Sequence, residues 1–92
     1  MDILAVGASA CNRLVPRVHS ISGPYRFFFY SLDCREPKHV HVQREYMKCK
    51  FWLEPVSLAR NRHFSAHELN VIRSYIEEHL ARILEAWDEH CG

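Results

Sequence analysis

Residues 39–55, HVHVQREYMKCKFWLEP, decide the fold. Residues 39–43 alternate between valine and a polar side chain, and residues 47–53 alternate again. A period of two is typical of a β-strand whose two faces meet different environments. Each segment is therefore predicted as a strand. The connection near Glu45 to Lys48 is tight, and Glu54-Pro55 ends the second strand.

A third strand is predicted before these two. Residues 25–32, YRFFFYSL, follow the turn signal Ser22-Gly23-Pro24 and are rich in aromatic residues, which favour strands. A polar loop at residues 33–38 leads to the next strand. Three consecutive strands with short connections favour an antiparallel meander.

The C-terminal third of the chain is predicted to be helical. Ser65 and Glu68 have the spacing of a capping box. Apolar residues then recur at the three-four spacing of one helix face: Leu69, Ile72, Ile76, Leu80, Ile83 and Trp87. A helix from Ala66 to about His90 is long beside a small sheet, which favours a kink near His79. We therefore expect an α+β fold: a three-stranded antiparallel sheet, a short helical turn at residues 56–61, and this long C-terminal helix.

The length of 92 residues fits one domain. We expect residues 1–16 to be a flexible extension and residues 17–92 to be the domain. No Lys or Arg precedes the short apolar stretch at residues 3–11, which disfavours a secretion signal, and no apolar run is long enough to span a membrane. The four cysteines, Cys11, Cys34, Cys49 and Cys91, form no C-x-x-C pair. Free thiols in a reducing cytoplasm are therefore expected.

Charge is distributed unevenly along the chain. Residues 1–64 carry ten Lys or Arg and five Asp or Glu, a net +5, whereas residues 65–92 carry two and six, a net −4. A basic half can attract nucleic acid or an acidic partner. The alternative is that the two halves attract each other.

The strand period assigns side chains to the two faces of the sheet. If Val40 and Val42 face the core, His39 and His41 face away from it and are expected to meet solvent. If Phe27 also points inward, the outer face carries Arg26, Phe28, Tyr30, His39, His41, Lys48, Lys50 and Trp52. Cations mixed with aromatic rings suit phosphates and unstacked bases. The alternative is a half-covered face that packs on the N-terminal extension or on a second subunit.

The sequence His39-Val40-His41 is the sharpest local feature. Two imidazoles at positions i and i+2 lie roughly 6.6 Å apart on one face of a strand, which suits one metal ion or an acid–base pair beside a phosphate. A metal needs further ligands, and the candidates complete no recognised spacing: Asp33, Cys34, Glu36, His63 and His67. We therefore expect no metal and no other cofactor, and a structural role for the histidines is the alternative.

Five stretches in order resemble the bacterial family known as domain of unknown function 4160: YRFFFYS (25–31), EPKHVHV (36–42), KFWLEPV (50–56), LARNRHFSAHEL (58–69) and LEAWDE (84–89). The resemblance implies a small cytosolic α+β protein, often encoded beside a second small gene in an arrangement like a toxin–antitoxin pair. That arrangement implies a partner protein and a nucleic-acid target. The motif positions it carries over are His39, His41, Trp52, Pro55, Asn61 and Trp87.

The chain departs from the family at two places. Family members begin close to Arg17, and they often have glycine where this chain has His63. Glycine there would suit a left-handed turn before the helix.

The expected function is that of one component of a toxin–antitoxin-like module. In this hypothesis Arg26, Lys48 and Lys50 contact phosphates, while Tyr30 and Trp52 stack on bases. His39 and His41 orient the ligand or transfer protons. The alternatives are a histidine-centred ribonuclease and a non-catalytic interaction or homodimerisation domain.

Overall fold

The computed structural model describes Val18, Ile21 and residues 23–92. The secondary structure elements in this part of the chain are β1 (Arg26–Phe28), a 3₁₀ helix (Asp33–Arg35), β2 (His39–Arg44), β3 (Met47–Leu53), β4 (Val56–Arg62), α1 (Ala66–Glu78) and α2 (Leu80–Cys91). The strands form one sheet in the order β1-β2-β3-β4 with antiparallel neighbours. The α+β class and the antiparallel meander are therefore confirmed. The predicted flexible extension at residues 1–16 lies outside the described residues.

The sheet has four strands, and the prediction of three was wrong. Residues 56–61, expected as a helical turn, belong to β4, which pairs with β3 from Leu53–Val56 to Lys48–Arg62. Five of the seven residues of β4 are exposed. Because most of β4 is exposed to solvent on both faces, its sequence lacks the sustained apolar alternation of a half-buried strand.

The core lies between one face of the sheet and the two helices. Val40, Val42 and Phe51 form its sheet side, and Phe27 and Phe29 also point inward. The helices contribute residues of the predicted apolar stripe, of which Ile72, Ile76, Ile83 and Trp87 are buried. The strand period thus assigned the core face correctly.

Helix α1 begins where the capping box predicts. Ser65 is its N-cap, and the Ser65 hydroxyl accepts a hydrogen bond from the Glu68 N–H at 3.1 Å. Just before the cap, the Asn61 amide bonds to both the N–H and the carbonyl of Phe64, at 3.1 and 2.9 Å. The predicted kink is also present, because His79 separates α1 from α2.

A disulfide joins Cys34 to Cys91, 57 residues later in the sequence. The expectation of free thiols is therefore wrong for these two residues, because the end of α2 returns to the connection between β1 and β2. Cys49 is free and buried, as expected, and Cys11 lies outside the described residues. In the described part of the chain, no helix combines the length and apolarity that a membrane span requires.

Candidate nucleic-acid interface

The sheet register arranges the outer face, the face opposite the core, in two rows that cross all four strands. One row contains Arg26, Gln43, Lys48 and Arg62, and the other contains Phe28, His41, Lys50 and Arg60. The expected placement of Arg26, Phe28, His41, Lys48 and Lys50 on one face is therefore confirmed. Arg60 and Arg62 are additional members of this face.

These rows place cations directly opposite cations on β3 and β4. Lys48 pairs with Arg62, and Lys50 pairs with Arg60. Like charges in directly opposed positions destabilise a sheet. Lys50 is compensated by Glu36, with 2.6 Å between Nζ and Oε1. Within the described part of the chain, Lys48, Arg60 and Arg62 form no ion pair with a carboxylate.

A cavity of about 280 Å³ opens between these side chains. We call it the basic cavity; its lining consists of Tyr30, His41, Lys48, Cys49, Lys50, Arg60 and Arg62. Arg60 and Arg62 were not predicted as site residues, because residues 56–61 were expected to form a helical turn and no strand was expected to reach Arg62. The sequence feature that indicates them is their i, i+2 spacing, because two side chains with this spacing lie on the same face of a strand.

The sequence-predicted binding residues divide into two groups. Tyr30, Lys48 and Lys50 line the basic cavity, where Lys48 Nζ lies 3.4 Å from the Tyr30 hydroxyl. Arg26 lies outside this lining and covers the Phe28 ring at 4.4 Å. Trp52 is also outside it: the ring lies 4.6 Å from Lys50 Nζ and lines a separate cavity with Trp87.

The two predicted catalytic histidines share a face but not an environment. His41 lines the basic cavity, and 18% of its side chain is exposed. His39 is fully buried, so the expectation that it meets solvent was wrong. Trp87 of α2 packs on the His39 ring, with ring centroids 5.2 Å apart, and Trp52 lies edge-on at 5.6 Å. The helix thus closes over one end of the outer face.

Asp33, in the 3₁₀ helix, connects the two histidines. Its Oδ1 atom lies 3.0 Å from His39 Nε2, and its Oδ2 atom lies 3.0 Å from His41 Nε2. Oδ2 also accepts the Tyr30 N–H at 2.7 Å. The His39 contact is short but is not aligned as a hydrogen bond, so Nε2 lacks a hydrogen-bond partner.

These contacts explain the electrostatics of Asp33. Burial by itself would raise the pKa of this carboxyl, but the contacts with His39, with His41 and with the Tyr30 N–H together hold the pKa well below its usual range. Asp33 is therefore a carboxylate at neutral pH. A buried carboxylate beside two imidazoles can orient a ring, accept a proton or coordinate a cation.

Comparison with known proteins identifies a family. The family model described as Domain of unknown function (DUF4160) matches residues 25–88, a range that contains both cross-strand rows and the Asp33 cluster. No curated protein and no solved structure matches the chain at a significant level.

Proposed function

The chain belongs to the domain of unknown function 4160 family, and we propose from its site that it binds single-stranded RNA on the outer face of the sheet, as one component of a toxin–antitoxin-like module. The observation that supports this proposal is the strand register, which places Lys48 opposite Arg62 and Lys50 opposite Arg60. Like charges in directly opposed positions are destabilising, and Glu36 compensates only Lys50. A polyanion that crosses the sheet would neutralise Lys48, Arg60 and Arg62 as well.

The lining of the basic cavity favours single-stranded RNA over a duplex. No carboxylate of the described chain neutralises three of its cations, Lys48, Arg60 and Arg62. In this proposal they therefore contact the phosphates of the RNA. Tyr30 presents a half-buried ring beside the His41 ring, with centroids 4.6 Å apart. Unstacked bases of a single strand can pack on such rings, whereas a duplex keeps its bases stacked inside.

Binding of a labelled single-stranded RNA, measured by fluorescence anisotropy over a range of salt concentrations, tests the proposal. The variant Arg60→Ala/Arg62→Ala loses two phosphate contacts, so we expect the salt-dependence slope to fall by about 1.4. Arg82→Ala is the matched control, since Arg82 lies on α2 and pairs with Glu85. Equal RNA affinity of the double variant and the wild type would contradict RNA binding at this face. An affinity that does not change with salt concentration would contradict it as well.

The second candidate function is cleavage of the bound RNA. The observation that favours it is the contact between Asp33 Oδ2 and His41 Nε2, which fixes an imidazole in the wall of the basic cavity. In this reading His41 transfers protons, and the buried His39 positions Asp33. His41→Asn should abolish cleavage of labelled RNA and weaken its binding less than Arg60→Ala/Arg62→Ala does, while the exposed control His67→Ala behaves as wild type. Intact RNA after incubation with wild-type protein would exclude cleavage.

The remaining parts of the proposal concern the setting. We propose a small partner protein encoded nearby and a cytoplasmic location, where RNA is available. The Cys34–Cys91 disulfide is uncommon for that compartment, so assays should include the reduced protein. Expression with and without the neighbouring gene, with growth and RNA integrity measured together, tests the pairing. Partner binding or homodimerisation without RNA affinity would support the non-catalytic interaction domain instead.

A further inference from the structure

The His39 ring has one nitrogen whose role is fixed by its neighbour. Nδ1 lies 2.8 Å from the Pro37 carbonyl oxygen. A carbonyl oxygen accepts hydrogen bonds but cannot donate them, so Nδ1 carries a hydrogen. In the neutral ring, Nε2 is therefore the nitrogen with the free lone pair.

That lone pair lies in an unfavourable position without a cation. His39 is fully buried, and its Nε2 atom has no hydrogen-bond partner although Asp33 Oδ1 is 3.0 Å away. In the neutral ring, a lone pair directed toward a carboxylate oxygen is repulsive, whereas a proton on Nε2 or a bound cation makes the contact attractive and satisfies both buried atoms. A cation bound to both atoms removes the repulsion and satisfies them.

A second imidazole completes the arrangement. His41 Nε2 lies 3.0 Å from the other oxygen of Asp33. One donor atom from each of Asp33, His39 and His41 lies within 4.8 Å of the other two. Donor atoms separated by about 3 Å can be bridged by metal–ligand bonds of about 2.0–2.2 Å. The cluster thus needs only small movements to surround one ion.

We propose that Asp33, His39 and His41 form a binding site for a divalent first-row transition metal ion such as Zn²⁺ or Fe²⁺. Two imidazole nitrogens and one carboxylate oxygen suit these metals. The surrounding contacts match those that support metal ligands: His39 Nδ1 donates to a carbonyl, and the Asp33 carboxylate accepts the Tyr30 N–H. The inference does not depend on RNA binding.

The site leaves room for a further ligand. Three protein ligands do not complete a tetrahedral or octahedral shell. His41 lines the basic cavity, whereas His39 is fully buried. A water molecule or a phosphate oxygen can therefore reach the ion from the cavity side.

A second group of potential metal ligands lies nearby, and any test must distinguish it from the Asp33 cluster. Cys34, His90 and Cys91 also bring ligand atoms within 4.8 Å of one another. The two cysteines are joined as a disulfide, and that group gains thiol ligands only after reduction. Titrations on the oxidised protein therefore report on the Asp33 cluster.

The test is titration of chelator-treated, oxidised protein with Co²⁺, followed by its visible absorption, and with Zn²⁺ in competition. We expect one ion per chain and an increase in Tm. Asp33→Asn and His41→Ala each change a ligand and should weaken binding by more than the about 10–100-fold typical of losing an outer-shell partner, while the exposed His67→Ala should bind as wild type. Undiminished binding by folded Asp33→Asn and His41→Ala variants, or its loss in His90→Ala, would overturn the proposal.

A measurement on the wild-type protein avoids the risk that variants fail to fold. Nitrogen NMR of the histidine rings should show His39 Nε2 and His41 Nε2 shifting together when Zn²⁺ is added. If His39 instead carries hydrogens on both ring nitrogens and neither ring responds to Zn²⁺ or Co²⁺, the cluster is an ion pair and the proposed site does not exist.

Discussion

Arg44 of β2 and Glu68 in the first turn of α1 form an ion pair across the fold, with 2.7 Å between Nη2 and Oε2. The same Oε2 atom accepts the Arg44 Nε–H at 2.8 Å and the Tyr25 hydroxyl at 2.9 Å. The capping box predicts that the Glu68 side chain returns to the Ser65 backbone, but it instead joins the helix to the sheet. The carboxylate thus connects three separate segments.

Removal of this carboxylate should destabilise the protein. Hydrogen bonds to charged groups typically contribute about 1.5–3 kcal/mol, so we expect Glu68→Ala to lower the free energy of unfolding by about 2 kcal/mol. Urea denaturation measures the effect, and Glu77→Ala on the exposed side of α1 is the control. In a double-mutant cycle with Arg44→Ala, the two losses should not add. Equal losses for Glu68→Ala and Glu77→Ala would contradict this role.

The same contact predicts how stability changes at high pH. Burial, and then the hydrogen bond to Glu68, raise the pKa of Tyr25 to about 12. A raised pKa means that the folded state holds the proton more tightly, so this stabilisation is present below about pH 10 and is lost as the pH rises toward 12. Tyr25→Phe should therefore show a shallower decline of unfolding free energy over that window. Burial also raises the pKa of Cys49, but this contribution is the same in the wild type and in Tyr25→Phe. Identical slopes for the two proteins would therefore show that Tyr25 has an ordinary pKa.

The disulfide should contribute much of the stability of so small a domain. Closing a loop of 57 residues is expected to stabilise the folded state by up to about 4 kcal/mol in the chain-entropy model. Reduction should therefore lower the Tm. The variant Cys34→Ser/Cys91→Ser should start from that lower Tm and show no further response to reductant. A wild-type Tm that is unchanged by reduction would contradict the expected contribution.

Replacement of His63 tests whether its backbone conformation strains the fold. His63 has φ of 80°, a left-handed conformation that costs a side-chain-bearing residue roughly 1–2 kcal/mol. Glycine removes this strain but adds chain entropy to the unfolded state, so His63→Gly should stabilise the protein by about 0.5 kcal/mol. His63→Ala keeps the strain and loses the ring contact with Tyr46, and it should be less stable than wild type. If His63→Ala is more stable than His63→Gly, backbone strain at position 63 is not significant.

Local sequence patterns predict the parts of the fold that rest on burial. Alternation in β2 and β3, the apolar stripe of the helices and the cap at Ser65 all reflect which side chains leave water. β4 carries no such signal, because an exposed edge strand is defined by its backbone pairing with β3. No local sequence pattern predicts the disulfide either, since Cys34 and Cys91 meet only after α2 returns to the sheet.

The candidate site was also predicted only in part, because local sequence patterns do not show which distant segments meet. The strand period places His39 and His41 on one face, but the burial of His39 depends on Trp87, which is distant in sequence. Asp33 appears in the sequence as one of several unconnected ligand candidates, and only the 3₁₀ helix brings it between the two rings. Arg60 and Arg62 enter the site solely through the register of β4.

The exposure of β4 affects how the protein can change over generations. Surface substitutions usually alter stability by less than about 0.5 kcal/mol, and the Leu58–Arg62 end of the strand is exposed throughout. Asn61 is the exception, since its side chain holds the turn into α1. Positions 60 and 62, on either side of Asn61, can therefore change without unfolding the domain while the core stays the same.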